Sequence, residues 1–291
     1  LIFGDLARLY LLDERQYADV PPCRGETVPY DDGNCAEVDE PRTRLGEEQE
    51  TWLADTADQG GVTWNLLGTP VALAGIDVGT DEPEYFLDLW DGYPQARQQV
   101  IDLLATVDNP VVISGDYHQG MVLDVNETPF DTDSTLVATE FMAPPISSVL
   151  FSQPVDARTP QLHEQLDGHG YLLVTVTPDD VTADFRILDD VRDPESGIET
   201  ASTWRVDAGG PAATGPQASP PASPRPSRPT YPAVSAFVYF SAHSTPSHDV
   251  TLAGVNLIKY RGRSAVGSRY SGPCSPRYRT AMRRAISKHA P

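Results

Sequence analysis

The chain is poor in cations. Its 291 residues carry 21 Lys and Arg, only two of them Lys, against 42 Asp and Glu. The resulting net charge of −21 repels nucleic acid and anionic membranes, so neither is an expected partner. No apolar run approaches the roughly 18–20 residues that span a bilayer. No signal peptide opens the chain. It begins Leu1-Ile2-Phe3-Gly4-Asp5, without Met and already in a strand-like pattern. An upstream part is therefore expected to be missing, with a processed terminus or a non-standard start codon as the alternatives. No internal repeat is visible. A Gly-rich phosphate loop and a Gly-x-Ser-x-Gly nucleophile elbow are both absent, which argues against a nucleotide cradle and a serine esterase.

Cysteine is scarce as well. Cys23 and Cys35 flank a loop rich in Pro, Gly, Asp and Asn, and Cys274 stands far from both. Their spacing fits no zinc pattern. Two cysteines in one exposed loop of an acidic, Lys-poor chain favour a Cys23–Cys35 disulfide and an oxidising compartment over two free thiols.

What charge there is falls unevenly. Residues 1–210 hold 10 Lys and Arg against 41 Asp and Glu, a net of −31. Residues 211–291 hold 11 against a single acid, Asp249, a net of +10. Such a contrast separates two regions. Residues 211–232 collapse to Pro, Ala, Ser, Gly and Arg, a linker composition that stays extended. Residues 233–291 form a basic tail with one apolar patch at 236–240. Its Ser/Arg/Pro/Ala bias matches a GC-rich gene read out of frame, with a genuine basic wall-binding module as the alternative.

Within 1–210, hydrophobic periodicity predicts alternating elements. Residues 2–12, 62–74 and 111–114 read as strands, and 45–59 and 94–105 as helices. Pro94 suits the first turn of its helix, with Asp91 expected as its cap. Residues 119–125, 135–142 and 200–207 read as further strands. Residues 170–177 and 181–188 alternate around Pro178-Asp179-Asp180 and read as a hairpin. Helices and strands alternating in the first half, with strands dominating the second, suit an α/β (α+β) sandwich with a metal site at the carboxyl ends of strands.

The segment VVISGDYHQG (111–120) is the most informative. A buried strand ends at Gly115, and Asp116 and His118 follow two residues apart. On an extended backbone their side chains point the same way, with Cα atoms roughly 6–7 Å apart. A carboxylate suits a hard cation and an imidazole a transition metal. By spacing alone, a polar loop start remains the commoner reading of such a pair. Arg15 is read as a phosphate contact or, more simply, as the partner of Asp13. Glu140 is a candidate brace for the His118 ring, as metal-bound histidines need. A strand-end salt bridge is its other reading. His163, His169, His243 and His248 lack ligand spacing and are read as solvated.

The pieces FGDLARLYLLDERQY (3–17), RTRLGEEQETWL (42–53), TWNLL (63–67), DLWDGYPQAR (88–97), NPVVISGDYH (109–118), VATEF (137–141) with ISS (146–148), and GYLLVTVTPDDVTADFRIL (170–188) occur in that order. Through them residues 1–210 resemble the PhoD-like alkaline phosphatases. The resemblance implies a metallophosphoesterase-like β-sandwich flanked by helices, whose N-terminal part is missing here. It implies hydrolysis of phosphate esters with iron and calcium, in an exported protein. Asp116 would bind calcium and His118 iron. The family's other ligand motifs, with their early Cys, Asp and Tyr positions and a later Trp-Asp-Asp-His segment, do not appear. Cys23 and Cys35 lie past the place where those motifs belong and are not assigned as ligands. The chain also departs from the family at Ala18, at Gly68-Thr69-Pro70 and at Pro145, which bears on the shape of the pocket. An inactive piece, or a secreted acidic binding protein, is the alternative reading.

Overall fold

The computed structural model describes residues 1–25, 27–29, 35–79, 81, 83–151, 155, 158–216, 234–238 and 256–260. Cys274, His243, His248 and most of the linker and tail lie outside the described residues.

Continuous apolar runs make the centre of the fold. Strands β2 (Ala7–Leu11), β4 (Trp64–Gly68) and β6 (Pro110–Ser114) are almost wholly buried, as parallel strands covered on both faces must be. They pair in parallel, β2 with β4 and β4 with β6, and β6 continues in parallel to β8 (Leu136–Met142). The long segment expected as a strand over 62–74 stops at Gly68, and residues 71–74 leave the sheet as a buried loop. Strand β1 (Ile2–Phe3) flanks β2, while β7 (Gly120–Asn126) and β9 (Leu162–Leu166) close the other edge in antiparallel fashion. The order of this first sheet is β1-β2-β4-β6-β8-β7-β9.

Two helices cover one face of it. Helix α1 (Glu47–Ala57) follows Gly46, which sits at φ 79°, a left-handed conformation that favours Gly. Its first turn carries Glu47, Glu48 and Glu50, favourable at the positive end of the helix dipole. Helix α2 (Pro94–Leu104) buries Ala96, Val100, Ile101 and Leu104. Asp91 does not cap it. The N-cap is Tyr93, without a side-chain cap, and the Asp91 carboxylate instead takes the Arg97 guanidinium one helical turn on. A small antiparallel pair, β3 (Thr27–Pro29) and β5 (Glu84–Phe86), crosses the loop between the helices.

The other face packs on a second, antiparallel sheet. Its strands β10 (Gly170–Val176) and β11 (Asp180–Leu188) form the expected hairpin, and β12 (Ile198–Asp207) pairs along β11. Leu172, Val174, Val181, Phe185 and Val206 meet Trp64, Val111, Ile113, Val122 and Phe141 between the sheets. Helices, first sheet and second sheet thus give three layers around two cores. The folded body does not end at 210. Thr139 donates to the carbonyl of Pro211 at 2.7 Å, and β13 (Ala213–Thr214) pairs with β12. Strand β14 (Val234–Val238) lies antiparallel beside β10, and β15 (Asn256–Tyr260) beside β14, an arrangement the composition of the tail does not announce.

Candidate active site

The site forms where β6 ends. Beyond Ser114 the chain turns sharply, and both Asp116 (φ 66°) and His118 (φ 63°) adopt the left-handed region. The extended backbone expected there is therefore not found. Two non-Gly residues in that region within one turn is unusual, and each costs of order 1 kcal/mol or more. Such strain persists only where surrounding structure imposes it. Here β6 is locked between β4 and β8, and Ala143 donates its N–H to the carbonyl of Ser114 at 2.8 Å.

Gly115, Asp116, Tyr117 and His118 line one side of a cavity of about 200 Å³. Val71 and Ala72 supply another wall, and Phe86, Leu89 and Phe151 complete it. Among the described residues, no hydrogen bond reaches the Asp116 carboxylate or the His118 ring. Burial pushes the Asp116 pKa above the usual carboxylate range, against the pull of Arg15 and His118. The Tyr117 hydroxyl is also buried without a hydrogen-bond partner among the described residues, and burial raises its pKa too, with help from Asp91 and Asp77.

The other sequence candidates lie nearby in different roles. Arg15 does not pair with Asp13, whose Oδ1 is taken by the backbone N–H groups of Arg15 and Gln16 at 3.0 and 3.1 Å. That short turn leaves the guanidinium free to swing outward. Its Nη1 meets both carboxylate oxygens of Asp88 at 2.9 Å, next to the cavity-lining Leu89. Arg15 is close enough to Asp116 for the two charges to act on each other. Glu140 does not brace His118. Its carboxylate accepts from the backbone N–H of Leu73 (3.1 Å) and Ala74 (2.7 Å) and from the Ser114 hydroxyl. It pins the 71–74 loop, one wall of the cavity, to the centre of the sheet. Burial raises its pKa to about 7. Cys23 and Cys35 form a disulfide with Cα atoms 5.9 Å apart, and neither is among the cavity-lining residues. His163 and His169 are not simply solvated. His163 pairs with Asp124 at 2.9 Å beside the Trp204 ring, and His169 contacts the carbonyl of Ser148 at 2.8 Å.

Sequence reasoning missed the buried ion pair below the site. Glu14 and Arg44 meet at 3.0 Å, with side chains 0% and 1% exposed. The Thr69 hydroxyl meets the second Glu14 oxygen and accepts from Trp90 Nε1 at 3.2 Å. Arg44 lies over the rings of Trp90 and Tyr93 and donates to the carbonyl of Asp88 at 2.9 Å. One buried cation thus ties the 14, 69 and 88–93 segments together. The signal in the sequence was weak: a charged residue inside each of the matching pieces DERQY, RTRLG and DLWDGY.

A sequence model of the PhoD-like phosphatase family matches residues 1–185. The chain belongs to this family. It is 33% identical over 216 residues to alkaline phosphatase D of Bacillus subtilis (strain 168), covering 69% of this chain and 36% of that protein. A solved structure described as that of PhoD superposes with a TM-score of 0.67 at 28% identity, over 76% of this chain and 44% of the other. The chain thus spans less than half the length of these PhoD relatives. The matched range takes in the Asp116–His118 turn and β10, and ends within β11. Among the described residues of this PhoD-like chain, no group of three or more His, Cys, Asp or Glu side chains is arranged to hold a metal ion, and no helix is long and apolar enough to cross a membrane.

Proposed function

We propose that this chain carries part of the active site of an exported, metal-dependent phosphoesterase that hydrolyses phosphate mono- or diesters. The observation that carries the reading is the turn after β6. It sets one carboxylate and one imidazole, neither hydrogen-bonded among the described residues, at the wall of a cavity. In this reading residues 1–216 are the catalytic body, and the disulfide supports an oxidising compartment.

The donor set fits the metals that the resemblance implies. Asp116 offers oxygen for a hard cation such as calcium, and His118 offers nitrogen for iron. Bound there, the ions would supply positive charge for the transferring phosphoryl group, which an acidic body otherwise repels. The residues themselves do the rest. The strained turn fixes both donors, Glu140 holds the wall at 71–74, and Asp88 holds Arg15 through Nη1 alone, which leaves its other N–H groups for a phosphate oxygen.

Two donors cannot complete such a site, since calcium alone takes 6–8 oxygen ligands. The second reading, an inactive piece or a secreted acidic binding protein, draws on the same shortage. The isolated chain is therefore expected to hydrolyse p-nitrophenyl phosphate poorly, even with iron and calcium supplied. Joined to the upstream part of alkaline phosphatase D from Bacillus subtilis, it should regain turnover. In that chimera His118→Ala should strip iron, measured by metal analysis, and Asp116→Asn should weaken the calcium dependence. Arg15→Ala should raise KM roughly tenfold, the loss of one charged hydrogen bond. Robust turnover by the isolated chain would sink the incomplete-site argument, and full activity with His118→Ala would sink the ligand assignment.

A further inference from the structure

A second cavity, of about 500 Å³, opens at the carboxyl end of β2 against the first turn of α1. It shares no lining residue with the cavity after β6. One part of its wall is aromatic. Tyr17 and Trp52 are 61% and 42% exposed, with Leu11 at 41% beside them. Among the described residues only seven large hydrophobic side chains are this exposed, and three of the seven meet here. Trp52 is held, since its ring packs edge to face on buried Tyr10 with centroids 6.4 Å apart. Tyr17 is held too, against Gly46, where an added Cβ would come within 2.8 Å of the Tyr17 Cβ.

The rest of the wall is acidic. Asp13, Glu47 and Glu48 line the cavity, and no Lys, Arg or His does. The arginines of the flanking segments are committed elsewhere: Arg15 to Asp88, Arg42 to Glu37 and Glu40, and Arg44 to Glu14. Glu50, in the same first turn, meets the Thr43 hydroxyl. The Glu47 and Glu48 carboxylates take no ion pair or hydrogen bond among the described residues. Acids in a first turn favour the helix dipole, but that role calls for no exposed aromatic pair beside them.

We propose that this cavity binds an organic cation, a guanidinium carried on a short aliphatic stem. A planar guanidinium stacks on an aromatic face and pairs bidentately with a carboxylate, so it uses both parts of the wall at once. Its stem would lie along Leu11 and Leu45, as long cationic side chains do on apolar surface. An ammonium would meet the carboxylates without the planar stacking, a metal ion would gain little from the rings, and an anion would be repelled. The inference stands independently of the phosphoesterase reading, because it concerns different residues and a ligand of opposite charge.

Ligand-observed NMR titrations of the full chain at low salt test this, with butylguanidinium, butylammonium and the neutral, equally planar butylurea as probes. Butylguanidinium should bind roughly tenfold more tightly than either of the others. The double variant Glu47→Gln with Glu48→Gln, at two exposed positions, should erase the preference over butylurea. Trp52→Leu should erase the preference over butylammonium. Should Trp52→Leu lower the urea midpoint through its lost contact with Tyr10, Tyr17→Ser carries the same test from an exposed position, with a several-fold loss expected. N-acetylarginine N-methylamide distinguishes the sources of the guanidinium. Binding on a par with butylguanidinium supports an arginine within a polypeptide, and binding tenfold weaker supports a free small molecule. Equal affinities for the three butyl probes, or a preference that survives both the charge and the ring variants, overturns the proposal.

Discussion

Two carboxylates near one cavity, the buried Glu140 and the half-buried Asp116, are treated oppositely by the fold. Glu140 sits mid-strand on β8 and accepts from two backbone N–H groups and a hydroxyl. Asp116 sits on a strained turn, receives no hydrogen bond among the described residues, and feels the more distant charges of Arg15, His118, Asp88 and Arg44. Burial raises both pKa values. The difference separates a carboxylate that builds the wall from one left open for something that is not protein. Glu14 and Asp91 belong with Glu140, since each is buried and each holds an arginine. Buried charge is costly unless paired, so a half-buried carboxylate and imidazole without hydrogen bonds among the described residues stand out from this background.

The sharpest way to break the comparison is to unpair a structural carboxylate. Arg44→Leu leaves Glu14 buried without its cation and removes the tie between the 14 and 88–93 segments. A loss of about 3–5 kcal/mol is expected in urea unfolding. Arg97→Leu, which strands Asp91, should cost a similar or slightly smaller amount. If either variant unfolds at the parent midpoint, the pairs are not structural and the contrast with Asp116 loses its ground.

A smaller effect comes from Glu140 and depends on pH. Its folded pKa of about 7 lies above the ordinary carboxylate value of 4.5. The folded state therefore holds a proton that the unfolded state has lost between those two values. Stability should be full below about pH 4.5 and fall as pH rises towards 7, by about 3 kcal/mol at most. Glu140→Gln keeps an acceptor for the Leu73 and Ala74 N–H groups and carries no proton to lose, so its stability should be flat across that window once other groups are subtracted. A parent protein with no such slope, or a variant that keeps it, would show that hydrogen bonding and not burial governs Glu140.

How much of this was legible beforehand varies by element. Helix α2, the β10–β11 hairpin and the buried β6 follow from periodicity, Pro94 and Pro178-Asp179, because local signals and tertiary packing agree there. The 62–74 strand was overread. Leu73 and Ala74 look like strand residues, but their N–H groups go to Glu140, 67 and 66 residues away, which no local pattern reveals. Asp116 and His118 were visible as a pair only through the resemblance. Their positive φ values belong to a turn held by β6, in a region that Asp and His enter more readily than most residues. Asp91 looked like a cap because capping is the common fate of an Asp just before a helix, and its true partner is chosen by burial. Arg15 and Asp88 are 73 residues apart, so their pairing waited on the fold.

The smallest effect is also the most diagnostic, because it has the opposite sign. If Asp116 is held open at a cost to the fold, removing its charge should stabilise the protein without bound metal. Asn tolerates the left-handed region better than most residues, so Asp116→Asn keeps the φ of 66° affordable and deletes only a poorly solvated charge. At pH 7, in chelator, a gain of roughly 0.5–1 kcal/mol is expected in urea unfolding. His118→Gly should add a comparable amount by relieving its own backbone. The pH dependence checks the cause. The folded pKa of Asp116 is raised, chiefly by burial, so its penalty is absent below the unfolded carboxylate value and grows as pH rises through the folded one. The gain from Asp116→Asn should therefore vanish at acid pH, whereas the gain from His118→Gly, being steric, should persist. Adding calcium should narrow or reverse the advantage of Asp116→Asn, because only the parent can then use its carboxylate. A variant less stable than the parent at neutral pH in chelator would place Asp116 among the structural carboxylates with Glu140, and the distinction between the two would fail.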